Sequence, residues 1–121
     1  MKTILLFLFL CMSLSTSAQT ADERAGTYMN QENWFSLQRE FAVNKDSLHP
    51  FLQEFGQALL DNFFNRPQAA YESIGKLLNE QQSNMGFENT ASMIYLLSEN
   101  LSKLGANDQA AETLKNFCDQ V

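Results

Sequence analysis

The sequence predicts an all-α fold of antiparallel helical hairpins. Three observations carry this. From residue 19 onward, apolar residues recur at spacings of three and four, which is the repeat of one helix face. Strand signals are missing: no run alternates β-branched and polar residues, and the valines beyond residue 18 are Val43 and Val121, far apart. Short polar turns at Asn30-Gln31, Asn65-Arg66 and Ala106-Asn107 divide the stripes at intervals of roughly 35 to 41 residues.

The chain opens with a leader. Lys2 supplies a positive start, Ile4 to Leu14 form an apolar run, and Ser15 to Ala18 are small. That order is the one an export signal needs, because the charge stays on the cytoplasmic side while the apolar run enters the membrane. The run is shorter than the roughly 20 residues of a spanning helix. Leu10, before Cys11, is too large for the small residue that normally precedes a lipidated cysteine. Residues 1–18 are therefore expected to be a signal peptide cleaved near Ala18, leaving an exported mature chain, periplasmic or secreted, with no membrane attachment.

Residues 19–121 suffice for one helical repeat-like domain and are too few for two. The leader holds one of the 8 basic residues and none of the 14 acidic ones, so the mature chain is one unit more negative than the formal −6 of the whole. Such a surface repels phosphate backbones and anionic lipids, which argues against nucleic acid and membrane partners. With Cys11 removed, Cys118 is the single cysteine left and has no partner for an internal disulfide. It reads either as a small apolar residue on a helix face or as half of an intermolecular bridge.

Six helices follow. The first covers about 20–30, with Ala21, Ala25 and Tyr28 on one stripe, and the second about 32–42, with Trp34, Leu37 and Phe41. A third is expected to start near Asp46 or Ser47, either of which can cap free amides. Its stripe is Leu48, Leu52, Phe55, Leu59 and Phe63, with Pro50 in the first turn. Pro67 suits the first position of a fourth helix, about 67–83, striped by Ala70, Ile74, Leu77 and Gln81. Gly86 breaks the chain before a fifth, about 88–104, with Ile94, Leu97, Leu101 and Leu104; Gly105 closes it. Asn107 is expected to cap the sixth, striped by Ala110, Leu114, Phe117 and Val121. Leu59 and Leu97 are expected core positions.

Gln68-Ala69-Ala70 and Gln109-Ala110-Ala111 each open the second helix of a pair, where small residues let two helices approach closely. With the turn period, this suits a tetratricopeptide-like array with degenerate terminal repeats. A compact helical bundle explains the same stripes.

Catalytic signatures are missing. There is no His-Glu-x-x-His, glycine-rich phosphate loop, Cys-x-x-Cys or Gly-x-Ser-x-Gly, so the sequence points to no metal, cofactor or catalytic residue. His49, the lone histidine, reads as a helix-start residue with an exposed ring. The carboxylates are scattered, and no pattern makes two of them converge as acid–base chemistry requires.

The aromatic residues are more informative. Trp34-Phe35 and Phe63-Phe64 are adjacent pairs, and neighbours on a helix point about 100° apart, so one of each pair is left near the surface. Aromatic surface among acids reads as a docking face for a protein or peptide. At the far end the stripe Ala110, Leu114, Phe117, Val121 runs to the last residue beside Cys118. A following domain or a second copy of the chain is the expected cover. The candidate partner contacts are thus Trp34, Phe35, Phe117, Cys118 and Val121.

Three segments carry a resemblance: Met29-Asn30-Gln31-Glu32-Asn33-Trp34-Phe35-Ser36-Leu37, Phe63-Phe64-Asn65-Arg66-Pro67-Gln68-Ala69-Ala70 and Ile74-Gly75-Lys76-Leu77-Leu78. Together they resemble the N-terminal helical region of exported bacterial proteins whose C-terminal part is a retropepsin-like aspartyl protease. The chain has no Asp-Thr-Gly or Asp-Ser-Gly, so no catalytic residue carries over. The resemblance implies an accessory or regulatory half whose protease domain is missing from this chain. Read from the residues alone, the chain is an exported non-catalytic helical interaction module.

Overall fold

A computed structural model describes residues 19–120. The leader read over 1–18 and the anchor Val121 lie outside them. The described residues are 85% helical with no strands, as the stripes predict. Helix α1 runs Ala21–Asn30, α2 Trp34–Asn44, α3 Pro50–Phe63, α4 Pro67–Gln81, α5 Gly86–Lys103 and α6 Asn107–Asp119, with single 3-10 turns at Lys45–Ser47 and Gln82–Asn84.

Local chemistry sets the boundaries. Thr20 Oγ1 accepts the Glu23 N–H (3.1 Å) at the start of α1, and Asn33 Oδ1 accepts the Ser36 N–H (3.3 Å) at the start of α2. Helix α3 starts at Pro50, later than the expected cap at Asp46 or Ser47. A residue before proline is driven out of the helical region, and His49 is extended with ψ 139°. The helix therefore cannot pass through His49, whose Nδ1 instead accepts the Phe51 N–H (3.2 Å) as the cap. Asn107 is likewise the first residue of α6 and no cap; Ala106 holds that position without a side-chain bond.

The three interhelical turns close alike. Each contains a residue with positive φ: Glu32 at 54°, Asn65 at 55° and Gly105 at 84°. The following N–H then reaches back five residues: Asn33 to the Tyr28 carbonyl (2.8 Å), Arg66 to Asp61 (2.9 Å) and Ala106 to Leu101 (2.9 Å). This is the helix-ending arrangement that glycine or asparagine favours. Its recurrence makes α1–α2, α3–α4 and α5–α6 three hairpins of one design, and α4 joins the second to the third by packing on α5.

Two apolar clusters form the core. One gathers Ala58, Ala70, Ile74, Leu77, Met85 and Met93; the other gathers Ala25, Leu37, Phe41, Leu48 and Leu60. Helix α3 serves both. Phe51, Phe55, Ala58 and Leu59 face the first, while Leu52, Leu60 and, just past the helix end, Phe64 face the second. The single expected stripe, 52–55–59–63, therefore mixes two faces. Leu60 is buried, Leu59 half-buried and Phe63 exposed.

Helix α5 departs from its stripe for a related reason. Met93, Asn100 and Leu101 are buried, Ile94 and Leu97 are half-buried, and Leu104 is exposed. Polar residues fill inner positions by bonding carbonyl oxygens: Ser98 Oγ donates to the Ala110 main-chain carbonyl (2.9 Å), and Asn100 Nδ2 to the Leu96 main-chain carbonyl (2.8 Å) and the side-chain Oδ1 of Asn62 (3.0 Å). A hydrophobic template cannot see such positions.

Asp61 is the buried charge of the fold. Its oxygens accept from Gln57 Nε2 (3.0 Å) and Ser73 Oγ (2.7 Å), and Arg66 Nη2 lies 3.0 Å away. Arg66 stays in solvent after Asp61 is lost, but the Gln57 amide and Ser73 hydroxyl lose their acceptor. Asp61→Ala is expected to cost about 1 kcal/mol in urea unfolding, the net worth of lost hydrogen bonds whose donors are only half-buried. Asp61→Asn, which keeps one acceptor oxygen, is expected to recover part of that loss.

Candidate interaction surface

The like-handed turns bring the start of α2 and the end of α3 to one end of the molecule, with two aromatic pairs on them. Trp34 and Phe35 open α2, Phe63 is the last residue of α3, and Phe64 follows it. Their rings form a continuous group. Centroids lie 5.9 Å apart for Trp34 and Phe63, 5.8 Å for Phe35 and Phe63, 5.6 Å for Phe35 and Phe64, and 5.0 Å for Phe63 and Phe64. Three of the four contacts are edge-on, the arrangement that ring quadrupoles favour. The Arg66 guanidinium lies 5.5 Å from the Phe64 ring centre, within cation–π range.

Burial divides the four. Trp34 and Phe64 pack against the Leu37–Leu60 cluster. Phe35 is 63% exposed and Phe63 44% exposed. One member of each adjacent pair is thus an anchor and the other faces water, as the 100° step between helical neighbours requires. That the two pairs meet was not legible in the sequence, because it depends on α1 and α3 running side by side in the same direction.

The far-end candidates sit elsewhere. Phe117 is half-buried and stacks on Phe87 at the start of α5, with centroids 5.9 Å apart and planes inclined by 25°. Phe87 is itself exposed, and so is Cys118. These residues belong to α5 and α6, and no ring contact among the described residues joins them to the four-ring group. Sequence reasoning named Trp34 and Phe35 as candidate contacts, with one ring of each adjacent pair outward, and left Phe63, Phe64 and Arg66 out of the candidate contacts.

No family model, curated protein or solved structure matches the chain. Among the described residues no helix is long and apolar enough to cross a membrane, and no three metal-ligating side chains converge. His49 is held as the α3 cap described above. The candidate surface is the aromatic end, where the exposed rings Phe35 and Phe63 of neighbouring helices touch each other.

Proposed function

We propose that this protein is an exported, non-catalytic helical module that docks a protein or peptide partner on the aromatic surface of Trp34, Phe35, Phe63 and Phe64. The observation that carries the reading is the outward placement of Phe35 and Phe63 on a fixed base of Trp34 and Phe64. Large rings held rigid before binding lose little side-chain freedom on contact, which is why aromatic and arginine side chains dominate the energetics of interfaces. Arg66 at the margin supplies a directional donor beside the apolar patch.

Selection of a displayed library of linear peptides against the purified protein tests this. Enriched peptides are expected to bind Phe35→Ser and Phe63→Ser variants about tenfold or more weakly, with the helical circular dichroism of both variants retained. The reading fails if no peptide is enriched, or if the enriched ones bind both variants as they bind the original protein.

A further inference from the structure

Two glutamates of like charge meet at the end of the α3–α4 hairpin remote from its connecting turn. Glu54 lies in the second turn of α3 and Glu80 in the last turn of α4. Lys76 and Glu80, four residues apart, share one face of α4, and that face meets Glu54: Lys76 Nζ lies 3.7 Å from Glu54 Oε1. The Glu80 carboxylate is within hydrogen-bonding reach of the Glu54 carboxyl.

The Glu54 side chain is 15% exposed, and its Oε2 is buried with no donor from the rest of the fold. The other charged groups nearby are engaged elsewhere. Lys45, in the 3-10 turn across the cleft, donates to Gln57 Oε1 (2.9 Å), and Asp61 is held by Gln57, Ser73 and Arg66. Two ionised carboxylates only accept, so Glu54 and Glu80 repel when both are charged. With one proton between them, one becomes a donor to the other, and the bond is of the strong charge-assisted kind.

We propose that Glu54 and Glu80 share one proton, and that this proton is a pH-sensitive latch between α3 and α4, closed in mildly acidic solution and released as the pH rises. Burial first, and Glu80 second, push the Glu54 carboxyl above the usual carboxylate range, while Lys76 pulls the other way. Glu80 is exposed, so the proton exchanges with water at its side without opening the helices. Release leaves a buried anion facing a second one across the helix pair. Lys76 offsets only part of this, because its own side chain is 61% exposed and the attraction is screened.

The sign is the reverse of an ordinary ion-paired carboxylate. A glutamate in the unfolded chain titrates near ~4.3, and folded Glu54 keeps its proton to higher pH. Over that interval the native state binds more protons than the unfolded one, so this contribution to stability is lost as the pH rises.

Carbon-13 NMR titration of the glutamate carboxyls in the folded protein tests the latch, with urea unfolding beside it. Glu54 is expected to titrate above the ~4.3 of a free glutamate. Glu80→Gln, at an exposed position, is expected to lower that midpoint by removing the anion that the proton bridges, and Lys76→Gln to raise it. The urea midpoint of the original protein, relative to that of Glu54→Gln, is expected to fall as the pH rises, since glutamine offers Glu80 a donor at every pH. If Glu54→Gln does not fold, the NMR midpoints of the two exposed variants decide the matter. The proposal is overturned if Glu54 titrates at or below the free value. It is overturned equally if Glu80→Gln leaves the Glu54 midpoint unchanged, which would assign the shift to burial alone, or if folded Glu54→Gln keeps the original pH dependence.

Discussion

Ile74→Ala and Leu77→Ala are each expected to destabilise the protein by about 2–5 kcal/mol, the range for emptying a closely packed site. Both side chains are fully buried on α4 and lie in the cluster that α3, α4 and α5 share. Leu60→Ala is expected to fall in the same range through the other cluster. Leu59→Ala and Leu97→Ala are expected to lose less, because each is half-buried and its neighbourhood is partly solvent. Urea unfolding of the five variants ranks them. A loss for Leu59 equal to that for Leu60 would show that the faces of α3 are wrongly divided between the clusters.

The second large effect is expected at Gly56. Glycine inside a helix normally costs about 0.5–1 kcal/mol against alanine, so replacing it should stabilise. Gly56 is buried on the face of α3 that meets α1 and α2. A Cβ there falls 2.8 Å from Met29 Cε and 2.9 Å from Phe41 Cε1, with Phe41 Cζ closer still. Met29 can bend away, but the Phe41 ring is held in the core. Gly56→Ala is expected to destabilise, and Gly56→Leu to cost about 3 kcal/mol, the upper part of the overpacking range. Gly75 on α4 is the control, since nothing lies within 4 Å of a Cβ there. Gly75→Ala is expected to stabilise by about 0.5–1 kcal/mol. Opposite signs for the two alanine variants in thermal unfolding check the close approach; equal signs refute it.

What could be read in advance follows from what each signal depends on. Helix α4 has one dominant buried face, and its stripe Ala70, Ile74, Leu77 was legible from spacing alone. Helix α3 contributes to both clusters, so a one-stripe template chose Leu59 over Leu60; on α5 the same template followed Ile94 and missed the buried Met93. Ser98 and Asn100 escaped because their burial rests on hydrogen bonds to main-chain carbonyls formed after folding. The start of α3 turned on the clash that proline imposes on His49, which outweighed the capping preference of Asp46 and Ser47. At the candidate surface, adjacency marked Trp34-Phe35 and Phe63-Phe64 as pairs with one outward ring each. Their union needed the tertiary arrangement.

The service of α3 to both clusters has a consequence for folding. The principal helix pairings join elements that are consecutive or next-but-one along the chain. Low sequence separation of contacts permits rapid folding. Terminal helices that touch few neighbours tend to open before the middle of a fold. Here α3 works against that tendency at the N-terminal side, since the α1–α2 hairpin cannot detach without opening the face that Leu52 and Leu60 occupy. Helix α6 is held differently, chiefly on α5, where Ala110 is buried and its carbonyl accepts from Ser98 Oγ. Opening at the N-terminal end therefore uncovers α3, whereas opening at α6 uncovers α5.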